Sequence, residues 1–204
     1  MNTKTPLVSA LLLAAGKSER MGRNKLLLPM DGGTVIGCTL DNLLESRAGE
    51  LVVVLGSCAQ EIDIAIGERP VSKVRNPDYA KGMSTSLITG LRMISKQARF
   101  VLVALGDQPF ITTHTYDQLI EVALGTEKGI IVPVFGGQRG NPIVIPAGLI
   151  PEVLHFTGDV GGRGLLAQYP DDILEVAVPD EGIIINVNTP EEYERRIVVP
   201  GRST

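Results

Sequence analysis

The chain has 204 residues, 44% of them hydrophobic and 21% charged, with 19 Lys and Arg against 23 Asp and Glu for a net charge of -4. That apolar share and modest charge exclude a disordered chain, and the acidic balance argues against a general nucleic-acid footprint. A chain of this length buries roughly 70% of its unfolded surface, so it needs no disulfide or structural zinc.

Aromatic content is only 4% and Trp is absent, so aliphatic side chains must build the core. Cys38 and Cys58 have no CxxC or Cys/His grouping, and His114 and His155 are far apart. A thiolate or imidazole metal centre is therefore not expected, and any catalytic metal should be a hard, oxygen-liganded ion. Buried thiols in a reducing, cytoplasmic setting are the expectation, with a disulfide left open.

Lys4 and the apolar run Leu7–Ala15 could pass for a signal peptide,. The run also suits a buried first strand, the preferred reading because a glycine-rich basic loop follows it. Nothing reaches the 18 or more apolar residues of a membrane helix. Further apolar runs at Leu51–Leu55 and Phe100–Leu105 fit strands covered on both faces,. Between them Thr34–Glu45 and Ser86–Lys96 have helical periodicity, and Thr112–Leu124 follows as a helix,. Ile130–Val134 and Pro142–Ile145 read as short strands around a turn-rich loop. Gly161–Tyr169 reads as a helix, Ile173–Val178 and Ile183–Val187 as strands, Pro190–Arg196 as a last helix and Pro200–Thr204 as a tail. This alternation predicts βαβ units and a parallel sheet, with ligands beyond the carboxyl ends of its strands.

Candidate chemistry falls at those ends. After the first strand, Lys17, Arg20, Arg23 and Lys25 are concentrated among small residues. Free backbone N–H groups and positive charge there suit a polyphosphate, although a solvated loop has the same composition. Gly16-Lys-Ser18 is not a P-loop, because Leu11 stands where that motif needs Gly,. Neither a GxGxxG fingerprint nor a GxSxG elbow is present. Asp107, after the run Phe100–Leu105, is placed either to hold Mg²⁺ or to cap a turn,. Asn186 and Asn188 can share one face of an extended segment, but Asn188-Thr-Pro190 is also a helix start,. Gly82, Ser84 and Ser86 could meet a nucleotide or simply cap a helix. The basic loop Gly136–Asn141 could contact an acceptor.

Leu13-Ala-Ala-Gly16, Ser18, Arg20-Met-Gly22 and Lys25 resemble the LxAGxSxRMGxxK signature of the MobA/MocA-like nucleotidyltransferases of molybdenum-cofactor chemistry. Gly106-Asp107 with Pro109, Gly140-Asn-Pro142 and Asn186-Val-Asn-Thr-Pro190 follow in that family's order, so the resemblance runs from about residue 7 to 196. Ala14-Ala-Gly16 and Asn76–Gly82 with Thr85-Ser86 are similar to the cytidylyl branch. Departures fall at Asn141, where some cytidylyl members carry His, and at Asn186 and Asn188, where some carry Asp.

The resemblance implies a Rossmann-like three-layer α/β/α sandwich with a mostly parallel central sheet, in one nucleotidyltransferase domain over residues 1–204. It implies Mg²⁺-dependent transfer of CMP from CTP to the terminal phosphate of the molybdenum (molybdopterin) cofactor, with release of pyrophosphate. Ala14, Ala15, Gly16, Ser18, Gly22 and Lys25 would then bind the nucleotide's phosphates, and Gly82 and Ser86 its nucleoside. Arg20, Lys25 and Asp107 would be catalytic, and Asp107 with Asn186 or Asn188 would hold Mg²⁺. Arg139, Gly140 and Asn141 would face the pterin. A molybdoenzyme client is the implied protein partner, with no nucleic acid and no membrane. The alternatives are GTP in place of CTP, a sugar- or alcohol-phosphate acceptor, a non-catalytic cofactor carrier and an inactive nucleotide-binding fold.

Overall fold

The computed structural model of the protein describes residues 7–18, 24–126, 129–158, 161–187 and 190–198. Its strands are β1 (Val8–Ala14), β2 (Pro29–Met30), β3 (Gly33–Thr34), β4 (Glu50–Leu55), β5 (Ser72–Arg75), β6 (Phe100–Leu105), β7 (Ile130–Phe135), β8 (Gln138–Arg139), β9 (Ile143–Pro146) and β10 (Ile173–Ala177). Its helices are α1 (Val35–Leu44), α2 (Ala59–Ile66), α3 (Met83–Leu91), α4 (Thr113–Gly125), α5 (Ile150–Val153), α6 (Arg163–Gln168) and α7 (Pro190–Tyr193).

The main sheet runs in the order β10-β7-β9-β6-β1-β4-β5, with β8 paired to β7. Strands β6, β1, β4 and β5 are parallel, as are β7 and β10, whereas β9 runs antiparallel to both β6 and β7. Period-two alternation divides the core between the two faces of the sheet. Ala10 and Leu12 of β1, Val53 of β4 and Leu102 of β6 pack with α1, α2 and α4, while Leu11, Val52, Val54 and Val103 pack with α3, α5 and α6. The three-layer α/β/α expectation holds.

Helix starts follow local chemistry. Thr34 Oγ1 accepts from the Gly37 N–H at 3.2 Å and caps α1. Thr112 caps α4 in the same way, accepting from the Thr115 N–H at 3.4 Å. Such a hydroxyl cap contributes about 1 kcal/mol.

Three expectations are corrected. Ile183–Val187 is not a strand: Glu181–Ile184 form a 3-10 turn and the chain then continues outside the sheet. Ile183, Ile185 and Val187 are nevertheless buried in alternation with Ile184 and Asn186, which gives the segment a strand's sequence pattern. Helix α3 begins at Met83 and ends at Leu91, earlier at both ends than Ser86–Lys96. Strand β5 and helix α2 had no counterpart in the sequence reading. No helix among the described residues is long and apolar enough to cross a membrane.

Candidate functional site

The chain leaves β1 for β4 on one side and later returns to β6 on the other, so β1 stands where the strand order reverses. In open α/β sheets the ligand crevice forms at that point, beyond the carboxyl ends. Here a cleft of about 1030 Å³ opens there.

One wall is the loop after β1. The Ala15 carbonyl accepts from the Ser57 N–H at 3.2 Å, which ties the loop to the end of β4. Ser18 lies in the left-handed region with φ 54°, and its Oγ accepts from the Lys25 N–H at 3.1 Å. Asn24 Oδ1 accepts from the Leu26 N–H at 3.0 Å and starts the turn Lys25–Leu27. These contacts deliver the Lys25 ammonium to Asp107 Oδ2, with which it forms a direct ion pair. Asp107 stands just beyond β6 and is 8% exposed. Its backbone carbonyl accepts from the Val187 N–H at 3.0 Å, and Asn186 Nδ2 reaches Oδ2 at 3.4 Å.

The second wall is the turn into α3. Asn76 is almost wholly buried, and its Nδ2 donates to Thr85 Oγ1 at 2.8 Å and Ser86 Oγ at 3.0 Å. Its Oδ1 accepts from the Asp78 N–H at 2.9 Å. Gly82 has φ 117° and ψ 164°, a region open essentially to glycine alone,. Its role is therefore conformational as well as any contact it makes: it starts α3 with the helix N-terminus beside the cleft, a position favourable to anions.

The third wall carries Asn141 and Asn186. Asn141 N–H donates to the Ile183 carbonyl at 3.0 Å. The turn Glu181–Ile184 is pinned by Asp180, which accepts from the Gly182 N–H at 2.8 Å, the Thr112 N–H and hydroxyl at 3.0 Å each, and the Thr115 hydroxyl at 2.5 Å. Burial pushes the Asp180 carboxyl up, but these hydrogen bonds outweigh it and hold the group below the usual carboxylate range,.

Of the expected site residues, Ala15, Gly16, Ser18, Lys25, Gly82, Ser86, Asp107, Asn141 and Asn186 line this one cleft. Ala14 does not, because its side chain is buried in the core on the opposite face. Arg20, Gly22 and Asn188 lie outside the described residues. Arg139 and Gly140 do not line this cleft. Arg139 Nε instead bonds Glu175 Oε1 at 2.6 Å on the neighbouring edge, and Gly140 packs so tightly that a Cβ there would lie 2.4 Å from the Ile183 carbonyl oxygen.

Sequence reasoning missed Tyr79, Met83, Gly161 and Gly162 as lining residues, and Gln108 beneath the floor. Tyr79 and Met83 stood within the stretch already marked as nucleotide-facing. Gln108 carried no separate signal. Among the described lining residues, Lys17, Lys25 and Lys81 outnumber one acid, Asp107, and Asp78 pairs with Lys81 at 2.8 Å, so the cleft keeps a small positive excess on an acidic protein. No group of three or more His, Cys, Asp or Glu suited to a metal occurs among the described residues. A cation at Asp107 would thus need further ligands from a bound molecule.

Comparison with known proteins agrees with this geometry. The pattern of the MobA-like NTP transferase domain matches residues 10–173. Nicotine blue oxidoreductase of Paenarthrobacter nicotinovorans is 33% identical, over 95% of this chain and 98% of its own. Molybdenum cofactor cytidylyltransferase of Escherichia coli is 24% identical, over 91% and 93%. The crystal structure of Rv0371c from Mycobacterium tuberculosis superposes with a TM-score of 0.84 at 28% identity, covering 94% of this chain and 98% of that one. A further structure of Rv0371c is a complex with manganese, at TM-score 0.81, 27% identity and the same coverage.

Proposed function

We propose that this chain, which belongs to the MobA-like NTP transferase family, is a nucleotidyltransferase that moves CMP from CTP to the terminal phosphate of the molybdenum cofactor. Nucleotidyl transfer is the family's chemistry; CTP, the cofactor and Mg²⁺ are the reading advanced here. The observation that carries it is the Lys25–Asp107 ion pair at the mouth of β1 and β6, facing a cleft with a small positive excess. At about 1030 Å³ that cleft is at the upper end of the ~300–1,000 Å³ typical of small-molecule sites, room for a nucleotide,.

An oxygen of the acceptor's terminal phosphate attacks the α-phosphorus of CTP. The bond from that phosphorus to the bridging oxygen of the β-phosphate breaks, and pyrophosphate leaves. The attacking oxygen is already anionic near neutral pH, so no protein base must take a proton. The protein's work is placement and neutralisation of charge. Lys25 and the amides of Ala15–Ser18 hold the triphosphate and the departing pyrophosphate. Gly82 and Ser86 meet the nucleoside, and Asn141 faces the pterin. The small residues Ala14-Ala-Gly16 support the cytidylyl branch.

The donor set fits a hard divalent ion. Among the described residues both side-chain contacts of Asp107 fall on Oδ2, so Oδ1 could take a cation, and one carboxylate plus substrate phosphates is ordinary Mg²⁺ ligation,. Asn186 differs from the expectation: it turns its nitrogen to Asp107, while its oxygen accepts from Gln108. Asp107 would hold the ion with Asn186 orienting the carboxylate, and the bound ion would neutralise charge on the reacting phosphates.

The test is pyrophosphate release from purified protein, Mg²⁺ and molybdenum cofactor with CTP or GTP in parallel, and Asp107→Ala as control. Release that needs both CTP and cofactor supports the proposal, whereas release with GTP alone moves the chain to guanylyl transfer. Silence with both nucleotides overturns it in favour of another acceptor or a carrier.

A further inference from the structure

Gln108 directly follows Asp107 and is wholly buried, an unusual place for a glutamine,. A buried amide is costly unless its hydrogen bonds are made. Only one end of this one is satisfied: Nε2 donates to the Ile183 carbonyl at 3.1 Å and to Asn186 Oδ1 at 3.2 Å, while Oε1 has no partner among the described residues. Turning the amide over would set oxygen against oxygen at both contacts, so the two acceptors fix its orientation.

Both acceptors lead into the cleft. Asn186 passes its own Nδ2 to Asp107 Oδ2 at 3.4 Å. The Ile183 carbonyl also receives the Asn141 N–H at 3.0 Å. Gln108 itself lines none of the cleft surface, yet it is bonded to one residue that does and shares an acceptor with another. An apolar side chain of similar size would remove the orphaned Oε1 but would strip Asn186 Oδ1 of its donor, so what Gln108 supplies there is the pair of Nε2 donors,.

We propose that Gln108 is a positioning residue that holds the Asn186 amide with its nitrogen toward Asp107 and ties the Asn141 backbone to the same floor. This rests on the nucleotidyl-transfer reading above. It predicts that the carboxylate side and the acceptor wall loosen together when the Gln108 donors are lost.

The experiment is a double-mutant cycle of Gln108→Met and Asn186→Ala, read in two ways. One is pyrophosphate release. The other is calorimetric binding of Mn²⁺ in the presence of a non-hydrolysable CTP analogue. Gln108→Met is expected to lower turnover and Mn²⁺ affinity about tenfold, the scale for losing an outer partner of a metal site. Its melting temperature should fall modestly, because Asn186 Oδ1 loses its donor while the Ile183 carbonyl keeps the Asn141 N–H,. In the double variant the losses should not multiply beyond those of Asn186→Ala alone. Multiplying losses, or unchanged turnover and binding in Gln108→Met, overturn the inference. Should Gln108→Met melt below the assay temperature, Gln108→Leu, also without the amide donors, is read at a temperature below its own melt and completes the cycle. If the unsubstituted chain releases no pyrophosphate, the transfer reading fails, while the calorimetric cycle still decides the link between Gln108 and Asn186.

Discussion

The two sides of the cleft are built differently. The β1–β6–α3 side rests on parallel strands whose ends carry the working groups directly: Ala15 to Ser18 follow β1, Asp107 follows β6, and Ser86 sits in the first turn of α3. The Asn141–Asn186 side has no such frame. Asn141 precedes an antiparallel strand and is held by its N–H to Ile183, while Asn186 follows a 3-10 turn and is held by side-chain bonds to Gln108 and Asp107. Charge is placed by the sheet; the opposite wall is placed by individual bonds. Damage to the first side should therefore abolish chemistry without unfolding, and damage to the second should combine lost stability with lost acceptor binding.

The largest effect is expected on the sheet side. Lys25→Ala or Asp107→Ala should each lower turnover about 10²-fold or more, the scale for removing a group that stabilises developing charge. Thermal melting should barely move. Full turnover by folded Asp107→Ala would remove that carboxylate from the mechanism and blur the contrast between the two sides.

Gly140→Ala tests the other wall. Its Cβ would come within 2.4 Å of the Ile183 carbonyl oxygen, so backbone must shift. A loss of about 1–3 kcal/mol is expected, as for other overpacked sites. The KM for the acceptor should rise while that for the nucleotide stays. Equal changes in both KM values would show that the walls are not independent.

Asp180→Ala should lose about 1–2 kcal/mol by stranding the donors of Thr112, Thr115 and Gly182,. Because the hydrogen bonds favour the charged form, the folded pKa lies below the unfolded value of about 3.9,. The stabilisation is present above that unfolded value and disappears as pH falls through the folded one. Melting curves of the two proteins should therefore converge in acid; a gap that persists at low pH would place the effect in packing instead. The smallest change is expected from Arg139→Ala, whose half-exposed pair with Glu175 is worth under ~1 kcal/mol,. Altered acceptor KM there would restore Arg139 to the site.

What the sequence revealed follows the same division. Continuous apolar runs made β1, β4 and β6 visible, and Thr34 and Thr112 were placed as they cap. Asp107 was readable because it stands just beyond a buried strand, and Lys25 because four basic residues fall close together after β1. β5 escaped because Ser72-Lys-Val-Arg75 is a mostly exposed edge strand with no apolar run. The segment 183–187 misled because alternating burial arises outside a sheet whenever a chain lies along a core. Gln108 was invisible for a different reason: its partners lie 75 and 78 residues away, a separation no local pattern encodes.

On the proposed reading, the ion pair of Lys25 with Asp107 would make a nucleotide site and an ion site effectors of one another. A polyanion that draws the ammonium toward itself exposes the carboxylate, and a cation on the carboxylate releases the ammonium. Each ligand thereby raises the affinity for the other, and reciprocity makes the two enhancements equal. Nucleotide and ion are then best captured as a pre-formed complex, and either one alone meets a site already neutralised from within.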